Sequence, residues 1–123
     1  MRLSFILALP LLLAAAGGAE AAADADGLDC NNAVTQMDMN FCADKDFHSA
    51  DKKLNAVYRV VKAKEDAHGQ ELLTAAEKAW VAWRDAQCIY DTKEEEGGSI
   101  RPMEYSNCQT DMTNARIKEL GGK

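Results

Sequence analysis

Between residues 39 and 61 an apolar side chain recurs every three or four positions, a spacing that predicts one long α-helix burying one face. The charged side chains of this stretch lie largely off the apolar stripe. Thr35 is the predicted N-cap, and Asp38 stands where a capping box carries Glu or Gln. The stripe consists of Met39, Ala43, Phe47, Ala50, Leu54, Val57 and Val61.

Two further stripes predict a second and a third helix. Gly69 marks the break after the first helix. The second helix is predicted to end at segment 94–99, which contains three glutamates followed by two glycines. The second stripe comprises Leu72, Ala76, Ala79, Trp83, Ala86 and Tyr90, widened by Trp80. The third helix is predicted from around Arg101 or Ser106 to Leu120, with Tyr105, Cys108, Met112 and Ala115 facing inward. The sequence therefore predicts a small all-α domain of about three helices, with a long first helix and an antiparallel second and third.

Four cysteines and no leftover thiol predict two disulfides that staple this domain. Zinc binding is the alternative, but the chain has no C-x-x-C pair. At 1.5 Å per helical residue, a turn near residue 97 brings Cys88 level with Cys108. A turn near residue 68 likewise brings Cys88 level with residue 48, and Cys42 lies ~9 Å further along the first helix, too far for a disulfide with Cys88. Cys30 is therefore expected to fold back onto Cys42, unless the first helix is strongly bent.

Residues 1–23 have the features of a cleaved signal peptide. Arg2 precedes an apolar run, and small residues offer cleavage after Ala19, Ala21 or Ala23. The run is too short for a membrane-spanning helix. A lipid anchor would need a cysteine directly after the signal, and Cys30 lies further on. We expect residues 24–123 to form one exported domain, periplasmic or secreted, without a membrane anchor.

The formal net charge of −6 narrows the class of partner. Nucleic acids and anionic membranes are held mainly by Lys and Arg, which are outnumbered here. We therefore expect no nucleic-acid partner. Basic proteins are the partners that electrostatics favours.

Few residues are placed for catalysis. His48 and His68 lie twenty positions apart, and no nucleophile motif surrounds the serines. Asp44, His48 and Asp51 share a helical face and could hold a divalent metal, although a solvated charged face explains the same spacing. We expect no catalytic residue, no metal and no cofactor, with weak metal binding as the alternative.

The segment Trp80-x-x-Trp83-Arg84 lies on the second helix. Aromatic residues at helical spacing are usually core, and Trp83 lies on the predicted inward stripe. Trp80 remains a candidate for contact with a partner protein. Arg84 is expected to pair with Asp85 or to reach a helix end.

The segment 94–102 is the strongest candidate for a binding loop. Gly97 and Gly98 provide flexibility and are followed by the hydroxyl of Ser99 and the cation of Arg101. If a Cys88–Cys108 disulfide brackets the segment, its ends are held while its tip stays exposed. The alternative is an ordinary connector in which Ser99 caps the third helix.

The order of these motifs resembles that of the LprI-type lysozyme-inhibitor family. The resemblance spans about residues 29–120. It runs through Cys30, Thr35 to Asn40, Cys42-Ala43, Ala50-Asp51, Leu54-Asn55, Tyr58, Ala79-Trp80-x-x-Trp83-Arg84-Asp85-Ala86-x-Cys88, Gly97-Gly98-Ser99-Ile100-x-Pro102-Met103, Cys108, Thr113, Arg116 and Leu120. The family pattern usually has Glu at the position of Asp38 and often Tyr or Phe at that of Trp83.

The resemblance implies a protein that binds and inhibits lysozyme and has no catalytic activity of its own. Animal lysozymes are strongly basic, which agrees with the negative charge of this chain. We expect Ser99 and Arg101 to enter the substrate cleft of the enzyme. The alternative is an exported accessory or envelope-stress protein with another protein partner.

Overall fold

The computed structural model describes residues 27–121, which form three α-helices and two short 3₁₀ turns. Helix α1 spans Gln36–Lys62, α2 spans Ala67–Asp91 and α3 spans Arg101–Gly121. The 3₁₀ turns are Cys30–Asn32 and Lys93–Glu95. No strand occurs within this described range, which confirms the all-α prediction. The predicted signal peptide and its cleavage sites lie outside the described residues.

Side chains cap the starts of α1, α2 and the first 3₁₀ turn. The Thr35 hydroxyl accepts a hydrogen bond from the Asp38 N–H, which confirms the predicted start of α1. Asp66 caps α2 by accepting from the Gly69 N–H. Asp29 caps the first 3₁₀ turn, and the backbone N–H of Asn31 and the side chain of Asn32 hold the pKa of its exposed carboxyl below the usual value.

Helices α1 and α3 run parallel, side by side, and α2 runs antiparallel to both. Gln36 at the start of α1 lies 3.8 Å from the Met103 sulfur near the start of α3, and at the other end Val61 and Leu120 line one cavity. Within the described residues, the α1–α3 interface is the most extensive and α1 approaches α2 least closely. None of these helices is long and apolar enough to span a membrane.

Both disulfides join the cysteines that helix geometry favours. Cys30 bonds Cys42 with Cα atoms 5.6 Å apart, and Cys88 bonds Cys108 with Cα atoms 5.7 Å apart. The first ties the leading 3₁₀ turn to α1, and the second ties the end of α2 to α3. Both therefore lie in the half of the bundle that carries the loop between α2 and α3.

The predicted stripe of α1 faces the core, whereas the predicted stripe of α2 does not. Trp83 and Tyr90 are 54% and 62% exposed. The buried side of α2 instead carries Arg84, which is only 4% exposed. The prediction of Trp83 as a core residue is therefore wrong, and so is the inward prediction for Ala115 of α3, which is exposed.

A polar row on α3 is the physical reason for this orientation. The row comprises Ser106, Gln109, Thr113 and Arg116, all buried, and ends in Leu120. Buried polar groups need hydrogen-bond partners, and the charged side of α2 provides them. Gln109 donates to Asp85 at 2.8 Å, for example. An α2 turned with its alanines and Trp83 inward would leave the polar row of α3 unsatisfied.

Two arginines hold the three helices together. Arg84 donates to Asp51 of α1, Asp85 of α2 and Thr113 of α3 at 2.9 to 3.2 Å. The guanidinium of Arg116 donates twice to Glu77 of α2 and once to Glu119. Burial disfavours the charged form of Arg116, but its hydrogen bonds to Glu119 and Glu77 outweigh that effect and raise its pKa.

Candidate functional site

The loop between α2 and α3 is fixed at both ends and exposed at its tip. The Cys88–Cys108 disulfide brackets it, and the buried Thr92 hydroxyl donates to the Cys88 carbonyl at its first residue. On the α1 side, the Asn40 amide donates to the Ser99 carbonyl at 2.9 Å. The loop is thus anchored to all three helices, as a rigidly presented binding loop would be.

The geometry of the loop favours glycine at both positions. Gly97 has φ +79°, in the left-handed region that glycine adopts without strain. A Cβ on Gly98 would lie 3.1 Å from the carbonyl oxygen of Glu95, which also accepts a hydrogen bond from the Gly98 N–H. The pair therefore sets a tight turn, and the side chains of Ser99 and Ile100 that follow are exposed.

Arg101 is the first residue of α3 and lies beside a surface groove. Its side chain is 27% exposed, and its guanidinium lies 3.9 Å from the carboxylate of Glu96, whose side chain is 75% exposed. An ion pair this long and this exposed is weak. The helix dipole also disfavours a cation at this end of a helix, so helix stability does not explain the position of Arg101.

The groove beside Arg101 has a volume of about 410 Å³ and is lined by Ile89, Gly98, Arg101, Pro102 and Tyr105. Its walls are mostly apolar, with one cation at the rim. Burial raises the pKa of the Tyr105 phenol, and the negative charge of Asp85 adds to the shift, against Arg84 and Arg101. The Tyr105 oxygen accepts a hydrogen bond from Gln109 at 3.1 Å. The phenol is therefore neutral and fixed in place at neutral pH.

Trp80 lies apart from this groove, among the three helices. Its ring is half-buried, and the guanidinium carbons of Arg84 and Arg116 lie 5.4 and 5.6 Å from its centre. Both cations contact the ring face, a favourable arrangement for an indole. This placement supports a structural role for Trp80, and its contact with a partner protein stays a prediction.

The structure does not assemble the face of Asp44, His48 and Asp51 into a metal site. His48 lies 3.4 Å from the Asp44 carboxylate, but Asp51 turns away and pairs with Arg84 at 3.2 Å. Residues 27–121 contain no group of three His, Cys, Asp or Glu side chains that could hold a metal ion.

Two features of the site were not anticipated from the sequence. Ile89 and Tyr105 line the groove although they belong to α2 and α3 and not to the loop. Tyr105 follows Arg101 by one helical turn, and this spacing was the available signal. Nothing in the sequence alone associated Ile89 with the loop.

Residues 29–120 match the model of the family described as lysozyme inhibitor LprI. An uncharacterized protein of Rhizobium meliloti (strain 1021) is 41% identical over 105 residues, a match that covers 75% of this chain and 76% of the relative. No solved structure matches the chain. The family match spans both disulfides, the arginine contacts and the groove. The chain therefore belongs to the LprI lysozyme inhibitor family.

Proposed function

We propose that this protein is exported and binds lysozyme, which it inhibits by inserting the loop Gly97 to Pro102 into the substrate cleft. One observation carries the proposal beyond family membership. A loop anchored at both ends presents the cation of Arg101 at the rim of an apolar groove. The loop is expected to inhibit lysozyme by occupying its substrate cleft, without any catalytic step.

The chemistry of the cleft matches that of the loop. Lysozyme-type glycoside hydrolases have two acidic residues in the substrate cleft, one of them ionised. A guanidinium donates two parallel hydrogen bonds to a carboxylate, and the positive end of α3 adds to the attraction. Ser99 can donate one more hydrogen bond. The absence of side chains at Gly97 and Gly98 lets the backbone approach the cleft walls.

Long-range charge is expected to speed the encounter. The chain carries a net charge of −6, and Glu94, Glu95 and Glu96 precede the inserted residues directly. Against a basic lysozyme, such charges mainly raise the association rate and add little net affinity. Because the charges are exposed, salt screens them.

A cell-wall turbidity assay tests the proposal. Lysis by animal lysozyme is expected to slow as the purified protein is added, with saturation at a one-to-one ratio. Raising the salt from about 0.05 to about 0.3 M is expected to slow association, because the Debye length falls. Lysis that is unaffected at a large molar excess of protein would contradict inhibition.

Export makes a separate prediction. The disulfides fit an oxidising compartment, and residues 1–23 have the pattern of a signal peptide. Protein isolated from its native host is expected to start shortly after Ala19, Ala21 or Ala23. Intact-mass spectrometry checks this, and a mass that still includes Met1 would contradict cleavage.

A further inference from the structure

The outward face of α2 is apolar along almost its whole length. Six exposed residues form a row along it, namely Leu72, Ala76, Ala79, Trp83, Ala86 and Tyr90. Ala75, Ala82 and Ile89 widen the row on one side and are also exposed. No charged residue interrupts this face between Leu72 and Tyr90. We call these nine residues the α2 outer face.

The spacing of the row is that of a helix–helix seam. Its members are separated alternately by four and three residues, the pattern that keeps apolar side chains in contact with a second helix. The row extends over ~27 Å at 1.5 Å per residue. Exposed apolar surface on this scale marks an interaction site in a soluble protein.

We propose that the α2 outer face binds a second copy of this chain, with the two α2 helices antiparallel. The row is symmetric about residue 81, so a twofold axis at that level pairs it with itself, as an isologous dimer requires. Leu72 then lies opposite Tyr90 of the other copy, Ala76 opposite Ala86, and Ala79 opposite Trp83. Each bulky aromatic meets a smaller side chain, whereas a parallel pair would place Trp83 against Trp83.

The area of this face suits a modest dimer. Leu72, Trp83, Ile89 and Tyr90 are each 53 to 62% exposed, and five exposed alanines lie among them. Such a set offers on the order of 600 Å² per copy, against the ~800 Å² that a stable interface buries on each partner. Trp and Tyr are also the residues that contribute most to interface energies. The net charge of each copy opposes association, so salt is expected to strengthen the dimer.

Sedimentation equilibrium of the purified protein, from about 1 to about 200 µM, tests the proposal. We expect a monomer–dimer equilibrium that tightens between about 0.05 and 0.5 M NaCl. Ala79→Glu is expected to weaken it at least ~10-fold, because it buries a carboxylate at the seam. Ala56→Glu is the matched control, since Ala56 is an exposed alanine on α1, and it is expected to leave the equilibrium unchanged.

Cysteine cross-linking tests the orientation. A mixture of Ala76→Cys and Ala86→Cys proteins is expected to form a covalent heterodimer on mild oxidation, and neither variant alone is expected to cross-link. Cross-linking of each variant with itself would overturn the antiparallel arrangement. A monomer at every concentration, or a dimer that Ala79→Glu does not weaken, would overturn the proposal.

The dimer and the lysozyme complex can be separated experimentally. Added salt is expected to strengthen the dimer and to slow the formation of the lysozyme complex. Ala79→Glu is expected to inhibit lysozyme at least as well as the parent, because Ala79 lies outside the loop and its groove and only Ile89 belongs to both surfaces. Loss of dimerisation in Ala79→Glu would therefore not contradict the proposed inhibition of lysozyme. A failure to inhibit lysozyme would likewise not contradict the proposed dimer.

Discussion

Replacing Arg84 by alanine is expected to lower the free energy of unfolding by about 3 kcal/mol, because truncation of a buried ion pair leaves its partners unpaired and a cavity behind. Arg84 donates a hydrogen bond to one residue on each helix, Asp51, Asp85 and Thr113. Asp51 and Asp85 are 37% and 39% exposed, so water can partly replace the arginine at both carboxylates. We therefore expect a loss at the lower end of the range for buried pairs. Urea unfolding followed by circular dichroism, with both disulfides intact, measures it.

Arg59→Ala provides the matched control. Arg59 is an exposed arginine in the last turn of α1, so its loss is expected to change stability by less than about 1 kcal/mol. Should Arg84→Ala be no more destabilising than Arg59→Ala, the arginine contacts do not hold the helices together.

Replacing Arg101 by alanine is expected to weaken inhibition of lysozyme by about 2 to 4 kcal/mol, or roughly 30- to 700-fold in the dissociation constant. In the free protein Arg101 makes only a long, exposed pair with Glu96, so little stability is lost with it. In the cleft it is expected to face an ionised carboxylate from which water is excluded. The removal of one partner then leaves a buried charge unpaired.

Inhibition constants from the lysis assay measure this effect. Arg59→Ala changes the net charge equally but lies in the last turn of α1, at the opposite end from the loop, and is expected to inhibit nearly as well as the parent. Ser99→Ala is expected to have a smaller effect than Arg101→Ala, because it removes one neutral hydrogen bond. Parent-like inhibition by both Arg101→Ala and Ser99→Ala would show that the loop does not enter the cleft.

Much of the fold could be predicted because it depends on local spacing. The start of α1 follows from Thr35, and the face of α1 follows from a stripe in which Ala43, Ala50 and Leu54 are buried. The disulfide pairing follows from the fixed rise of a helix. Each of these features is determined by residues close together in the sequence or by simple helix geometry.

The orientation of α2 could not be predicted from apolar spacing. Its apolar row has the periodicity of a buried face, yet Arg84 and Glu77 occupy the buried side. The deciding residues, Gln109, Thr113 and Arg116, lie on another helix, and their row at the same three-to-four spacing is polar. A search for apolar periodicity alone passes over such a row. The groove was missed for a related reason, because Ile89 and Tyr105 come from different helices.

The loop of the proposed site could thus be predicted from the sequence, whereas the walls of the groove beside it could not. Gly97, Gly98, Ser99 and Arg101 are consecutive or nearly so, and their chemistry is visible in the sequence. Trp80, in contrast, has the guanidiniums of Arg84 and Arg116 on its ring, and the sequence did not indicate these contacts. A tryptophan beside arginine carries no sequence signal that separates a surface for a partner protein from a contact with arginine side chains of the same chain.

The parallel packing of α1 against α3 has a consequence for how the chain folds as it is made. Among residues 27–121 the most extensive interface joins α1 to α3, and α1 and α2 contact each other little. Contacts between distant parts of a chain form late, since a long intervening loop must be closed first. While α3 is still inside the ribosome, α1 therefore lacks its main packing partner and the stable bundle cannot form. Under the proposed export, a newly made chain that stays unfolded until α3 emerges would be in the state that passage through a membrane channel requires.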